Sequence, residues 1–234
     1  MYAGTFSIVA YDTATGTCGV AVSSRMPAIG ALSVFAHAEA GAVATQALIN
    51  PLLGVDALKL LRSHPAEDAL GRVLGADPDA DSRQVAVVDG NGRAAAHTGA
   101  QTHPWSGHRT GNGYAVAGNI LTGAATLDAM AERWESAGES RAEATLGERL
   151  LSALEAGQAA GGDRRGRQSA ALYVHTGNPY PYLDLRVDEH HDPVAELRRV
   201  HGVAERELLP FVEALPTREN PVGAFDRLLD TGQH

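Results

Sequence analysis

Apolar and polar residues alternate from the start of the chain. Residues 6–10 and 18–24 are β-rich runs separated by Asp12-Thr13-Ala14-Thr15-Gly16, a turn composition, so they predict a hairpin whose first strand begins at Thr5. Segments 33–38 and 42–46 predict a second strand pair joined at Gly41. The period then changes. Leu53, Ala57 and Leu61 mark one short amphipathic helix, and Ala66, Ala69, Leu70, Val73 and Leu74 mark another, which Asp77-Pro78 ends. Gly90-Asn91-Gly92 between residues 84–89 and 93–98 is the clearest hairpin signal in the chain. A strand over 114–118 precedes two longer helices, one with Leu127, Met130, Ala131 and Trp134 on a face, the other with Leu146, Leu150, Ala153 and Leu154. Gly161-Gly162 stops the second of these. Strands over 168–175 and 182–187 follow, Pro193 opens a helix reaching toward Leu209, and the last twenty or so residues read as a tail with one short helix.

Strands, then paired helices, then strands again argue for layers rather than βαβ alternation. Val85-Ala86-Val87-Val88 is apolar on both faces and so is covered on both sides. The expected class is therefore α+β, a four-layer αββα sandwich with two stacked sheets between two helix layers. The chain has 234 residues, 44% of them hydrophobic and 20% charged, which fits one large globular domain. No run approaches the roughly 18 apolar residues of a membrane span, and no basic stretch with a hydrophobic segment opens the chain, so a cytoplasmic protein without membrane contact is expected. The net charge of -9 disfavours nucleic acid as a partner. Cys18 is the sole cysteine and reads as core. Lys59 is the sole lysine, and arginine cannot act as a general base, so a lysine mechanism would depend on Lys59.

Chemistry enters at Gly4-Thr5. A cut between them would give Thr5 a nucleophilic hydroxyl and an α-amine of ordinary pKa about 7.7 to 8 to take its proton. Glycine, lacking Cβ, would tolerate the distorted backbone of self-cleavage. The plain alternative is that Gly-Thr simply opens a strand. The histidines of the segment His97 to His108 lack the pairing of a zinc motif, which favours one histidine, His108, at a pocket rim over a metal site. Glu189-His190-His191-Asp192 precedes Pro193, and Asp192 reads as the helix N-cap. No P-loop, dinucleotide fingerprint or Gly-x-Ser-x-Gly elbow occurs. No metal and no organic cofactor are expected.

The strings GTFSIVAYD, TGTCGVAVSSR, GAVATQALINP, VAVVDGNGRAAAHTG, HPWSGHRTGNGYAVAGNIL and GDRRGRQSAALYV together resemble the domain-of-unknown-function family numbered 1028 over Thr5 to Asp192. The resemblance implies a fold similar to the N-terminal nucleophile hydrolases, with a removable leader over 1–4, a domain of that hydrolase-like fold over 5–192 and a C-terminal helix and tail over 193–234. It implies Thr5 as nucleophile, Ser23 holding its amine, and Arg25 binding a substrate carboxylate at the end of the second strand. The competing reading of Ser23 to Arg25 is a polar strand end in solvent. Thr45 and Gln46 fall where relatives supply further polar groups. Asn119, after the strand over 114–118, is an oxyanion donor or a turn cap. In the run over 161–169, Asp163, Arg164, Arg165 and Arg167 stand between a helix and an apolar strand; the three arginines suit an anionic substrate, an internal carboxylate network or plain solvation, with Arg164 and Arg167 the substrate-binding candidates. These residues together predict an amidohydrolase acting on a small, carboxylate-bearing amide; the alternatives are an uncleaved, non-catalytic binding protein and a metal-assisted hydrolase using the histidine loop. A homo-oligomer is implied by the resemblance alone.

Overall fold

The computed structural model describes residues 4–137 and 145–226. The first hairpin forms as the alternation predicts: β1 (Thr5–Asp12) pairs antiparallel with β2 (Thr17–Ser24), turning where Gly16 takes φ +69°. A four-residue helix α1 (Gly30–Ser33), which the sequence did not announce, leads into β3 (Val34–His37) and β4 (Gly41–Ala47). Helices α2 (Pro51–Leu60) and α3 (Ala66–Ala76) precede a hairpin of β5 (Arg83–Asp89) and β6 (Ala94–Thr98). Its turn acid has two tasks. Asp89 Oδ1 accepts from the backbone of Asn91 and Arg93, while Oδ2 accepts from Ala66 N at 3.1 Å, supplying the cap that Pro65 cannot give α3.

A short polar strand, β7 (Gly107–Gly111), was also unannounced; it pairs with β8 (Tyr114–Asn119). Five polar or glycine residues carry no apolar period, and the strand exists because the turn at Gly113, φ +78°, folds it back onto β8. Helices α4 (Ala125–Ala137) and α5 (Leu146–Ala159), strands β9 (Ser169–His175) and β10 (Leu183–Val187), and helices α6 (Pro193–Glu207) and α7 (Leu209–Ala214) complete the chain. Asp192 stands at the N-cap position of α6 but its side chain makes no capping bond; the carboxylate instead pairs with Arg167 at 2.9 Å.

Two antiparallel sheets result, one of order β10-β9-β2-β1-β8-β7 and one of order β3-β4-β5-β6. Period-two alternation sorts their side chains into three apolar layers. Phe6, Ile8 and Leu172 face α4, α5 and α6, whose Met130, Leu150, Leu154 and Leu197 cover them. Val43, Val85 and Val87 face α2 and α3, meeting Leu53, Leu70 and Val73. Between the sheets lie small residues: Val9, Val20, Ala36, Ala42, Ala44, Ala86, Val88, Ala115 and Ala117. The fold is thus two antiparallel sheets flanked by helices, a layered sandwich, and α6 is packed into the same core as the strands. Among the described residues, no helix is long and apolar enough to cross a membrane.

Candidate active site

At one end the layer between the sheets changes character. The residues that continue the inward-facing rows beyond the alanines and valines are Thr5 and Ser7 on β1, Ser24 on β2, Asn119 on β8, Gln46 on β4 and Gln84 on β5, all buried. A cluster of buried polar groups costs stability unless its hydrogen bonds are met, and here they are met mutually. Ser7 Oγ donates to Gln46 Oε1 at 2.6 Å. Gln46 Nε2 donates to Gln84 Oε1 at 2.8 Å and reaches Thr5 O at 3.4 Å. Gln84 Oε1 also accepts from Asn119 Nδ2 at 3.0 Å, and Gln84 Nε2 lies 2.9 Å from Gly118 O. Two amides from one sheet therefore stitch it to the other beside the first residue of β1.

Thr5 occupies the centre of this end. Its register partners are Ser24 on one side and Asn119 on the other, and its side chain is 0% exposed. Thr5 Oγ1 donates to Ser24 Oγ at 3.1 Å, and Ser24 Oγ donates to Gly4 O at 2.5 Å. The same carbonyl oxygen accepts from Arg165 Nη2 at 3.1 Å. Arg165 is fixed by Asp163: Oδ2 lies 2.7 Å from Arg165 Nη2 and Oδ1 lies 3.1 Å from Nε, a two-pronged pair on a carboxylate that is 1% exposed. Asp163 also accepts from Arg25 N at 3.1 Å and from Arg165 N at 2.9 Å. The run over 161–169 thus reaches back to the Gly4-Thr5 bond. Gly161 and Gly162, at φ +128° and +62°, turn α5 into it.

Backbone conformation is unusual at this end. Ala47 directly after Gln46 and Ile120 directly after Asn119 take φ +69° and +53°. For a β-branched residue this region is disfavoured, and such outliers cost about 1–3 kcal/mol each. Gly4 is not among the left-handed glycines. Its requirement is room: a Cβ there would lie 2.6 Å from Asp163 Oδ2 and 2.8 Å from Arg165 Nη2.

Several expected site residues lie elsewhere. Ser23 projects to the helix face, as its partner Phe6 does, and donates to Ser169 O; Ser24, one residue on, is the serine at Thr5. Thr45 likewise points away from the inner layer and donates to Asn50 O at 3.3 Å. Arg25 is exposed and its guanidinium bonds Gln168 Oε1, while Arg167 is held by Asp192. Arg164 is exposed, and Arg165 is the arginine on the Gly4 carbonyl. His108 is exposed on β7 and its Nδ1 lies 2.8 Å from Thr98 Oγ1; desolvation, and then His97, lower its pKa. Gln46 and Asn119 face the same buried layer as Thr5, but Asn119 is the last residue of β8 and its Nδ2 donates to Gln84 Oε1 rather than capping a turn. Three surface cavities, the largest about 420 Å³ between α2 and α3, are not lined by Thr5.

The family described as "Family of unknown function (DUF1028)" matches residues 5–197. This chain belongs to the DUF1028 family. Protein SPO2555 from Silicibacter pomeroyi, a crystal structure assigned to the same family, is 29% identical to it, with a TM-score of 0.84 over 94% of this chain and 98% of that one. No curated protein matches. Among the DUF1028 residues gathered at this end, Ser7 and Gln84 are absent from the expected site, while Asp163 and Arg165 were expected only as members of the polar run over 161–169. Ser7 and Gln84 carried a signal, since each is a polar residue on the inward row of a strand that is otherwise apolar.

Proposed function

We propose that this chain is a self-processing amidohydrolase of the N-terminal nucleophile kind, with Thr5 as nucleophile after cleavage at Gly4-Thr5. The observation that carries the reading is the hydroxyl chain from Thr5 Oγ1 through Ser24 Oγ to Gly4 O, with Arg165 on the same oxygen. It connects the attacking atom to the oxygen on which charge would develop. In the processing step Thr5 Oγ1 bonds to the Gly4 carbonyl carbon, its proton passes to Ser24, and the Ser24 proton passes to Gly4 O. The C–N bond then breaks, the proton moves to the Thr5 nitrogen, and an ester joins Gly4 to Thr5. Water cleaves that ester, releasing a Gly4 carboxylate and leaving Thr5 with a free amine and hydroxyl.

Removal of Gly4 is also what would open the site, because Gly4 fills the space before Thr5. In turnover the Thr5 amine takes the hydroxyl proton, Thr5 Oγ1 attacks a small amide, and the amine product leaves before water hydrolyses the acyl-enzyme. Ser24 and Arg165 then hold the substrate carbonyl as they held that of Gly4. Asn119, through Gln84, positions the start of β1, and Arg25 and Arg164 at the exposed rim suit a substrate carboxylate. The tight wall at Gly4 favours an acyl carbon bearing no side chain.

A second reading, an uncleaved binding protein, is favoured by the complete burial of Thr5 in the intact chain. Intact mass and activity separate the two. The expected result is a wild-type chain lacking residues 1–4 that hydrolyses members of a panel of N-acyl and N-carbamoyl amino acids, and a folded Thr5→Ala variant that keeps its leader and is inactive. A wild-type chain that retains its leader, or a Thr5→Ala variant with wild-type turnover, refutes the hydrolase.

A further inference from the structure

Helices α5 and α6 bring together three side chains that the reaction above does not touch. His201 and Glu205 stand one turn apart on α6, and Glu148 lies in the first turn of α5. His201 is 1% exposed, and its Nδ1 is buried with no hydrogen-bond partner. That nitrogen faces two carboxylates, 3.7 Å from Glu205 Oε2 and 4.0 Å from Glu148 Oε2, distances beyond a hydrogen bond. A buried polar nitrogen left unpaired is costly, and native proteins rarely leave one without a role.

Charge points the same way. Arg198 donates two parallel bonds to Glu155, at 2.8 and 2.7 Å, and its third nitrogen pairs with Glu148. One guanidinium thus stands against Glu148, Glu155 and Glu205, and among the described residues Glu205 has no arginine or lysine partner. Two negative charges are left over, the complement of a divalent cation. A proton on Nδ1 would offset one of them. The three candidate ligand atoms lie within 4.8 Å of one another. Ligands at about 2.0–2.2 Å from a tetrahedral ion stand roughly 3.4 Å apart, so modest rotation of Glu205, 47% exposed, closes the set. One imidazole and two carboxylates suit zinc or another borderline divalent ion rather than magnesium.

We propose that Glu148, His201 and Glu205 bind one divalent cation of the zinc type, which clamps α6 to α5. The site uses none of the histidines between His97 and His108 and neither His190 nor His191. The test is calorimetric titration of zinc chloride into the untagged, chelator-stripped full chain, with thermal melts alongside. Wild type is expected to take up one equivalent saturably and to melt higher with zinc. Loss of an outer-shell partner alone weakens metal sites by about 10–100-fold, so Glu205→Gln, on an exposed side chain, should weaken binding at least tenfold and abolish the melting shift. His191→Gln, and Thr5→Ala, should bind as wild type does. Absence of saturable binding, or a Glu205→Gln variant that binds as tightly as wild type, overturns the site; loss of the equivalent in His191→Gln assigns the ion to surface histidines and does the same.

Discussion

Replacing Gly4 by alanine adds one methyl group beside the bond proposed to break, and the structure sets the size of the effect. The new Cβ would lie 2.6 Å from Asp163 Oδ2 and 2.9 Å from Asp163 Cγ, against about 3.5–4.0 Å for an ordinary contact. Asp163 cannot swing aside freely, because Arg165 N, Nε and Nη2 and Arg25 N all donate to it. Overpacking of this kind costs about 1–3 kcal/mol in fold stability. The larger consequence is kinetic. Moving the Asp163-Arg165 pair takes Nη2 off the Gly4 oxygen, and loss of one such donor from a developing oxyanion is worth about 2.7–4 kcal/mol, or 10²–10³ in rate. Gly4→Ala should therefore remain folded yet shed residues 1–4 at least about a hundredfold more slowly. Intact-mass spectra of freshly purified protein over time, with a melting curve of the same sample, measure both quantities. Loss of the leader at the wild-type rate from the alanine variant would refute the role assigned to this contact.

Two further outcomes follow from groups away from Thr5. Burial pushes the Cys18 thiol up to about 12, outweighing the backbone contact from His37 that lowers it, and Cys18 Sγ donates to Gly41 O at 3.2 Å. Thiol reagents should label the native chain only as fast as it unfolds, and stoichiometric labelling of folded protein would show the thiol is not core. Hydrogen bonds from Arg83 hold the Asp77 carboxyl down at about 2 against the desolvation that raises it, with Asn50 Nδ2 and Asp79 N also donating to a side chain 4% exposed. A depressed carboxyl contributes stability above its unfolded pKa and loses it as pH falls toward the folded one, here from about 4 to about 2. Asp77→Asn should cost about 2 kcal/mol at neutral pH, and denaturation curves should show the gap closing across that window; a gap independent of pH would contradict the assignment.

Periodicity read the layers well because the burial that shapes each element is local. Val85 to Val88 had to be covered on both faces, and Gly90-Asn91-Gly92 had to turn, whatever else the chain did. It failed where pairing alone makes the element: β7 has no apolar residue to announce it. The site was legible by position but not by facing. Thr5, Gln46 and Asn119 were named from strand ends, yet Ser23 and Thr45 point outward, because a strand reverses direction at every residue and Ser24 shares the row of Val20 and Val22. Choosing Arg165 over Arg164 and Arg167 required knowing that Asp163 holds the Arg165 guanidinium against the Gly4 carbonyl, a contact between residues far apart in sequence. Two of the three are told apart by their partners: Arg167 by Asp192, and Arg165 by the distant Gly4 carbonyl.

The thin seam of alanines and valines between the sheets also limits what the Thr5 end could admit. Along β1, Ser7 lies about 7 Å beyond Thr5, two residues at about 3.4 Å each. Ser7 itself pairs with Val22 and Ala117, past it the row continues with Val9 between Val20 and Ala115, and Ala44 belongs to the same apolar layer. A molecule entering beside Thr5 would meet a blind wall of methyl groups there, with nothing to solvate a second amide or a charged end. Length would then be discriminated by a depth stop rather than by recognition, and bulkier substitutions at Ala44 or Ala117 would raise that floor toward the nucleophile.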